Sequence, residues 1–102
     1  KELPDLKMGR WCIECKRYGP GSDPLDEWWD QVIASSGPSG LPALIYKFNR
    51  KPIKVRLLGE SLSDELIGTG ILIDISFDDF IELLKLKFQK DIDFHNQQDE
   101  VQ

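Results

Sequence analysis

The sequence predicts one mixed α/β domain with the element order β-α-β-β-β-α. Three observations carry this. Short runs rich in aliphatic, β-branched and aromatic residues recur, each bounded by Gly, Pro or Asn. Two stretches instead place apolar residues at helical spacing behind a capping residue. The length of 102 residues, with 40% hydrophobic and 30% charged content, suits a single core of moderate size in water.

Residues 1–6 read as extended chain or loop, with Pro4 opposing helix, and 7–10 as a turn. Residues 10–17 read as a strand, and the Gly and Pro residues of 18–22 as a loop. Ser22 or Asp23 is expected to cap a helix running to about Ser35. Pro24 sits near its start, and Asp26 and Glu27 sit in its first turn. Gly37 to Gly40 ends it. A strand over 42–47, a turn over 48–52 and a strand over 53–58 form a hairpin. Residues 59–70 are irregular and acidic, and 71–75 read as a further strand. Ser76 caps a helix from Phe77 to about Gln89, with Phe80, Leu83, Leu84 and Phe88 facing the core. The domain is thus expected over 1–90, with 91–102 a polar, flexible tail. There is no internal repeat. The first strand begins almost at the first residue, and a stable sheet needs flanking cover, so part of the native domain is expected upstream.

No apolar run approaches the roughly 20 residues of a membrane span, and the first residues do not read as a signal peptide. Cys12 and Cys15 lie three apart, so in one strand they face opposite sides and cannot pair. A reducing, cytoplasmic setting follows. The net charge of −5 at first argues against a nucleic-acid partner. The charge is unevenly distributed, however. Residues 1–59 hold ten Lys or Arg against seven Asp or Glu, whereas 60–102 hold three against eleven. The first half can meet phosphate while the second keeps the chain in solution.

The chemistry concentrates at Glu14-Cys15-Lys16. Glu14 and Lys16 are two apart and share a strand face. Their flanks are Trp11, Cys12, Ile13 and Cys15, so the pair projects from an apolar strand, where charges must be used or paired. The bland alternative is a solvated strand face or a simple salt bridge. Lys47, Arg50, Lys51, Lys54 and Arg56 form a run of cations without an acid among them; they are either a solvated hairpin or a phosphate contact, and Arg17 at the end of the first strand is counted with them as a phosphate contact. Gln31 on the first helix is a surface amide or a site residue. Both cysteines read as small core residues, because one CxxC pair and a distant His95 do not make a zinc site. There is no Gly-rich phosphate loop, and a nucleophile–histidine arrangement would have to recruit His95 from the tail.

Glu14-Cys15-Lys16 on a strand is followed by a Gly/Pro loop, a helix with Trp28-Trp29-Asp30-Gln31, the strand Leu41-Pro42-Ala43-Leu44-Ile45-Tyr46-Lys47 and the basic turn Asn49-Arg50-Lys51-Pro52. Over about residues 4–58 this resembles the PD-(D/E)XK nuclease superfamily, in particular its phage and archaeal Holliday-junction-resolvase-like members. The resemblance implies a restriction-endonuclease-like core, a mixed central sheet flanked by helices. It implies Mg²⁺ or Mn²⁺ held by Asp5, Glu14 and the main-chain carbonyl of Cys15, and Lys16 beside the attacking water. Gln31 would lie near the site. Asp5, nine residues before Glu14 and preceded by Pro4, would reach it through a tight hairpin turning at 7–9. Relatives often use a longer separation, which would put the first acid upstream of Lys1.

The residue types suit that chemistry. Hard carboxylate oxygens favour Mg²⁺ or Mn²⁺, and Lys16 adds positive charge where negative charge develops. The expected activity is hydrolysis of DNA phosphodiesters; the resemblance implies branched DNA in recombination as one substrate, with flaps, single strands and specific duplex sites left open by the sequence. A homodimer is expected, since paired nicks need two sites. If the chain is phage-encoded, its compartment is the host cytoplasm. Two alternatives stand beside this reading: a catalytically inactive nuclease-like DNA-binding module, and a protein-interaction domain that docks through its acidic second half.

Overall fold

A computed structural model describes residues 5–101, without the side chains of Phe88 and of 91–101. The tail's expected flexibility, the environment of His95 and the core role expected of Phe88 lie outside the described part. The chain forms an α/β fold in three layers. Strands β1 (Leu6–Met8), β2 (Trp11–Arg17), β3 (Leu41–Lys47), β4 (Lys54–Leu58) and β5 (Leu72–Ser76) lie side by side in that order. Helix α1 (Asp26–Ser36) covers one face and helix α2 (Phe77–Val101) the other. β2 and β3 are parallel, joined by α1; the other neighbours are antiparallel.

β3 is central and covered on both faces, which explains its continuous apolar run. Its odd positions pack with Trp11, Ile13, Val55, Leu57, Phe80 and Leu84 on the α2 side. Its even positions, Leu44 and Tyr46, pack with Phe48 and Val32 on the α1 side. Pro42 is tolerated in β3 because the β4 ladder begins only at Ala43–Leu57, so its missing N–H breaks no rung. β4 alternates cleanly, with Val55 and Leu57 buried and Lys54 exposed.

The structure adds a strand to the expected order. Residues 6–8, read as loop and turn, form β1, which turns at Gly9-Arg10 rather than at 7–9. Gly9 adopts φ 59°, the positive φ that a two-residue hairpin needs there. α1 starts at Asp26, three residues beyond the expected cap. No side chain caps it; the Leu25 carbonyl accepts from Trp28 N–H at 3.1 Å. Ser76 does cap α2, its hydroxyl accepting from Asp79 N–H at 3.0 Å. α2 then continues to Val101, past the expected end at Gln89, because neither Gly nor Pro interrupts residues 77–101. The irregular segment 59–70 contains two 3₁₀ turns, Gly59–Ser61 and Asp64–Leu66.

α1 hands over to β3 through one tight approach. A Cβ on Gly40 would collide with the Ser36 carbonyl and press on Cys12 Sγ at 3.1 Å. Gly40→Ala is therefore expected to destabilise the fold by about 1–3 kcal/mol, the usual range for overpacking. Urea unfolding should show a lower midpoint at an unchanged slope.

Candidate functional site

The β1–β2 hairpin brings the first acid to the second. The outermost pair of its ladder is Leu6–Ile13, so the next residues outward, Asp5 and Glu14, face each other. Pairs alternate along an antiparallel ladder, and Met8–Trp11 closes the turn as a hydrogen-bonded pair. Asp5–Glu14 is then of the close, non-hydrogen-bonded kind, with Cα atoms roughly 4.5 Å apart. One Asp5 carboxylate oxygen accepts the Cys15 N–H at 2.9 Å. Glu14 is only 4% exposed.

Two carboxylates so placed repel. Burial raises the Glu14 pKa, and the charge and side-chain contact of Asp5 raise it further. The Lys16 charge and the Asp5 main-chain N–H pull it back, but the net direction is up. The same strand geometry settles the Cys15 carbonyl. A strand residue sends its N–H and C=O to the same edge, so the Cys15 carbonyl shares the edge on which its N–H meets Asp5.

Two adjacent carboxylates and a main-chain carbonyl form an oxygen donor set that could hold a hard divalent cation. Among the described residues no group of three or more His, Cys, Asp or Glu side chains converges. The set fits Mg²⁺, which commonly takes one or two carboxylates and fills its shell with water and phosphate oxygens.

Lys16 lies on the Glu14 face and lines a cleft of about 580 Å³ with Glu27, Trp28, Asp30, Gln31 and Ala34. α1 thus brings Gln31 to the lysine, because its Val32–Ser35 stripe is pinned to the sheet and turns the neighbouring flank toward β2. Glu27 and Asp30, to which the sequence assigns no site role, line this cleft as well. Tyr18, 47% exposed, packs edge-on against Trp28 at 5.1 Å and Phe48 at 5.9 Å beside this cleft.

No family model, curated protein or solved structure matches this chain. What the site can do must be read from its own residues.

The expected cations do not gather on one surface. By register Arg17 and Lys47 point to the α2 side, whereas Lys16, Lys54 and Arg56 point to the α1 side. Lys47 braces the turn, donating to the Lys51 carbonyl at 3.0 Å and the Phe48 carbonyl at 3.3 Å. Lys51 and Lys54 are exposed. Arg50 sits exposed at the turn with φ 62°, a left-handed conformation that favours glycine. Both cysteines are free, as expected, but only Cys12 is a core residue; Cys15 is exposed.

Arg56 is engaged elsewhere. Its guanidinium makes two hydrogen bonds to Asp74, at 2.8 and 3.0 Å, and the Tyr46 hydroxyl donates to the same carboxylate at 2.7 Å. Both partners hold the Asp74 carboxyl below its ordinary value against the effect of burial, and the Tyr46 phenol is pushed well up by burial and Asp74. The sequence signals neither partner, because the contact spans β3 to β5. Asp74→Ala leaves a half-buried guanidinium and a buried hydroxyl without their acceptor, so a loss of about 1–3 kcal/mol is expected in urea melts at pH 7.

Proposed function

We propose that this chain is a metal-dependent DNA endonuclease of the PD-(D/E)XK type, with a restriction-endonuclease-like core and a preference for branched DNA. The observation that carries the reading is the Asp5–Glu14 carboxylate pair, with Lys16 on the same face and Gln31 in the adjoining cleft. The topology is compatible: a hairpin bearing the acids, a crossover helix and a parallel strand.

In this reading Asp5, Glu14 and the Cys15 carbonyl hold Mg²⁺ or Mn²⁺. The ion would lower the pKa of bound water and offset phosphate charge. Lys16 places an ammonium where the attacking water and the developing negative charge sit. Gln31 contributes an amide to orient that water or a phosphate oxygen. Arg50 and Lys51 at the turn and Lys54 on the α1 face carry the backbone contacts, Arg17 and Lys47 face the other side of the sheet, and Arg56 holds Asp74 and β5 in place. Paired nicks across a four-way junction call for a homodimer.

The test is cleavage of a labelled four-way junction and a matched linear duplex with Mg²⁺, Mn²⁺ or EDTA, with the protein's mass followed by light scattering. Metal-dependent cutting that Lys16→Ala abolishes supports the proposal. Salt-sensitive binding without cutting replaces it with an inactive DNA-binding module, and neither result leaves an interaction domain.

Arg50 offers a separate check. A left-handed non-glycine residue at a turn tip is retained against a cost of about 1 kcal/mol. Arg50→Gly is expected to be neutral or stabilising by up to about that amount, while weakening junction binding and lowering its salt dependence by roughly one phosphate contact. Equal junction affinity in gel-shift titrations would remove Arg50 from the DNA contacts.

A further inference from the structure

A second cavity lies on the opposite face and at the opposite end of the sheet from Glu14 and Lys16. It encloses about 200 Å³ between the β1–β2 hairpin, the start of β3 and α2. Met8, Trp11 and Leu41 supply an apolar floor, and Arg10, Lys87 and Lys90 supply three positive charges. Trp11 to Lys16 is five residues of strand, about 17 Å, so the cavity is no extension of the carboxylate pair.

The charge distribution here is unusual for this chain. Residues 60–102 contain only three Lys or Arg among eleven acids, yet two of the three converge on this cavity with Arg10. Among the described residues no carboxylate lines it. Convergent like charges cost free energy unless an anion joins them. Arg10 is also oriented: its Nε–H donates to the Ser39 carbonyl at 2.9 Å, leaving the terminal N–H groups for another acceptor. The Trp11 ring is set edge-on against Phe80 at 5.4 Å, which fixes the floor. A neighbouring cavity of about 520 Å³ shares Arg10, Leu41 and Lys87 but includes Glu60 and Asp64, so an acidic group is favoured on the hairpin side.

We propose that this cavity binds a small aromatic phosphate monoester, its ring on Met8, Trp11 and Leu41 and its phosphate between Arg10, Lys87 and Lys90. Three cations match a dianionic phosphate better than a monoanionic carboxylate. The volume lies below the roughly 300 Å³ at which drug-sized pockets begin, so the body is a single ring. This site does not depend on the nuclease reading.

The test is titration of the ¹⁵N-labelled chain with phenyl phosphate, following the Trp11 indole N–H by NMR. Inorganic phosphate and benzyl alcohol serve as the two halves of the ligand. A saturable Trp11 shift is expected, at least tenfold tighter for phenyl phosphate than for either half and weakened by added salt. Arg10→Gln/Lys87→Gln should weaken it at least tenfold. The exposed Lys90→Glu provides the same reading if the double variant has a lower melting temperature. Absence of a saturable shift, equal binding of benzyl alcohol, or wild-type affinity in Lys90→Glu would overturn the proposal.

Discussion

Phe80→Ala is expected to destabilise the domain by about 3–5 kcal/mol, the range for emptying a well-packed aromatic site. Phe80 is 1% exposed and is the largest fully buried side chain among the described residues. It lies where α2 meets the sheet, with Trp11, Ile13, Ala43, Val55 and Leu57 drawn from β2, β3 and β4. Its ring meets Trp11 edge-on at 5.4 Å with planes 87° apart, a geometry worth roughly 0.5–1.5 kcal/mol beyond area burial. The cavity cannot collapse easily, because its floor is a hydrogen-bonded sheet and its helix side is already filled by Phe77, Leu83 and Leu84. Domains of this size hold about 5–15 kcal/mol in all. At roughly 4–8 °C per kcal/mol, the melting temperature should fall by at least about 12 °C. Phe80→Leu keeps most of the volume and should cost less than half as much. A Phe80→Ala loss below about 1 kcal/mol would mean that α2 does not pack on this face.

The same residues explain why α2 was legible in the sequence and β1 was not. Ser76, Asp78 and Asp79 mark the helix start, and Phe80 and Leu84 mark its buried stripe; cap and packing agree. β1 has three residues, two of them exposed, so it leaves no periodic signal and exists through its pairing with β2. The start of α1 was displaced because Ser22 and Asp23 look like caps while the chain uses the Leu25 main chain instead. Gly21 is one reason the loop runs on. It packs against the Phe48 ring, where a Cβ would lie 2.9 Å from the ring edge, so the chain passes over the aromatic cluster through Tyr18 and Gly21 before the helix begins.

Within the site, the proximity of Glu14 and Lys16 followed from strand alternation alone. The Asp5–Glu14 pairing needed one further fact, the position of the hairpin turn; moving it by a single residue would send Asp5 to the other face. The Tyr46–Asp74–Arg56 network needed the register of two more ladders, which no local pattern encodes. The run of five cations misled for the same reason, since strand alternation splits Lys47 from Lys54 and Arg56, and Arg56 meets its acid only across β4 and β5.

Glu14→Gln should separate function from stability in opposite directions. If Glu14 holds the metal, the amide should lower junction cleavage by at least about 10²-fold, in line with loss of a principal electrostatic contact. Without metal, the variant should be more stable than wild type at pH 7, because Asp5 then faces a neutral group of the same size. The pH dependence fixes the sign. The Glu14 carboxyl titrates above its ordinary 4.5 in the fold, so the folded chain keeps a proton that the unfolded chain has released. Stability therefore falls as pH rises from about 4.5 through the raised folded value, and Glu14→Gln should lack that fall. Asp74 acts the other way. Its lowered carboxyl contributes stability above its ordinary 3.8 that disappears as pH drops through the folded value, equally in both proteins. Urea midpoints of both proteins across pH 4–8 isolate the Glu14 contribution. Mg²⁺ should then stabilise wild type, by about 2.7 kcal/mol at 100 times its dissociation constant, and stabilise Glu14→Gln far less. Two parallel pH curves with no Mg²⁺ effect would mean that the carboxylates do not share a site. A gain in stability together with lost cleavage is the signature of acids kept close for a cation despite their repulsion, since a structural salt bridge between Glu14 and Lys16 would make the same substitution destabilising.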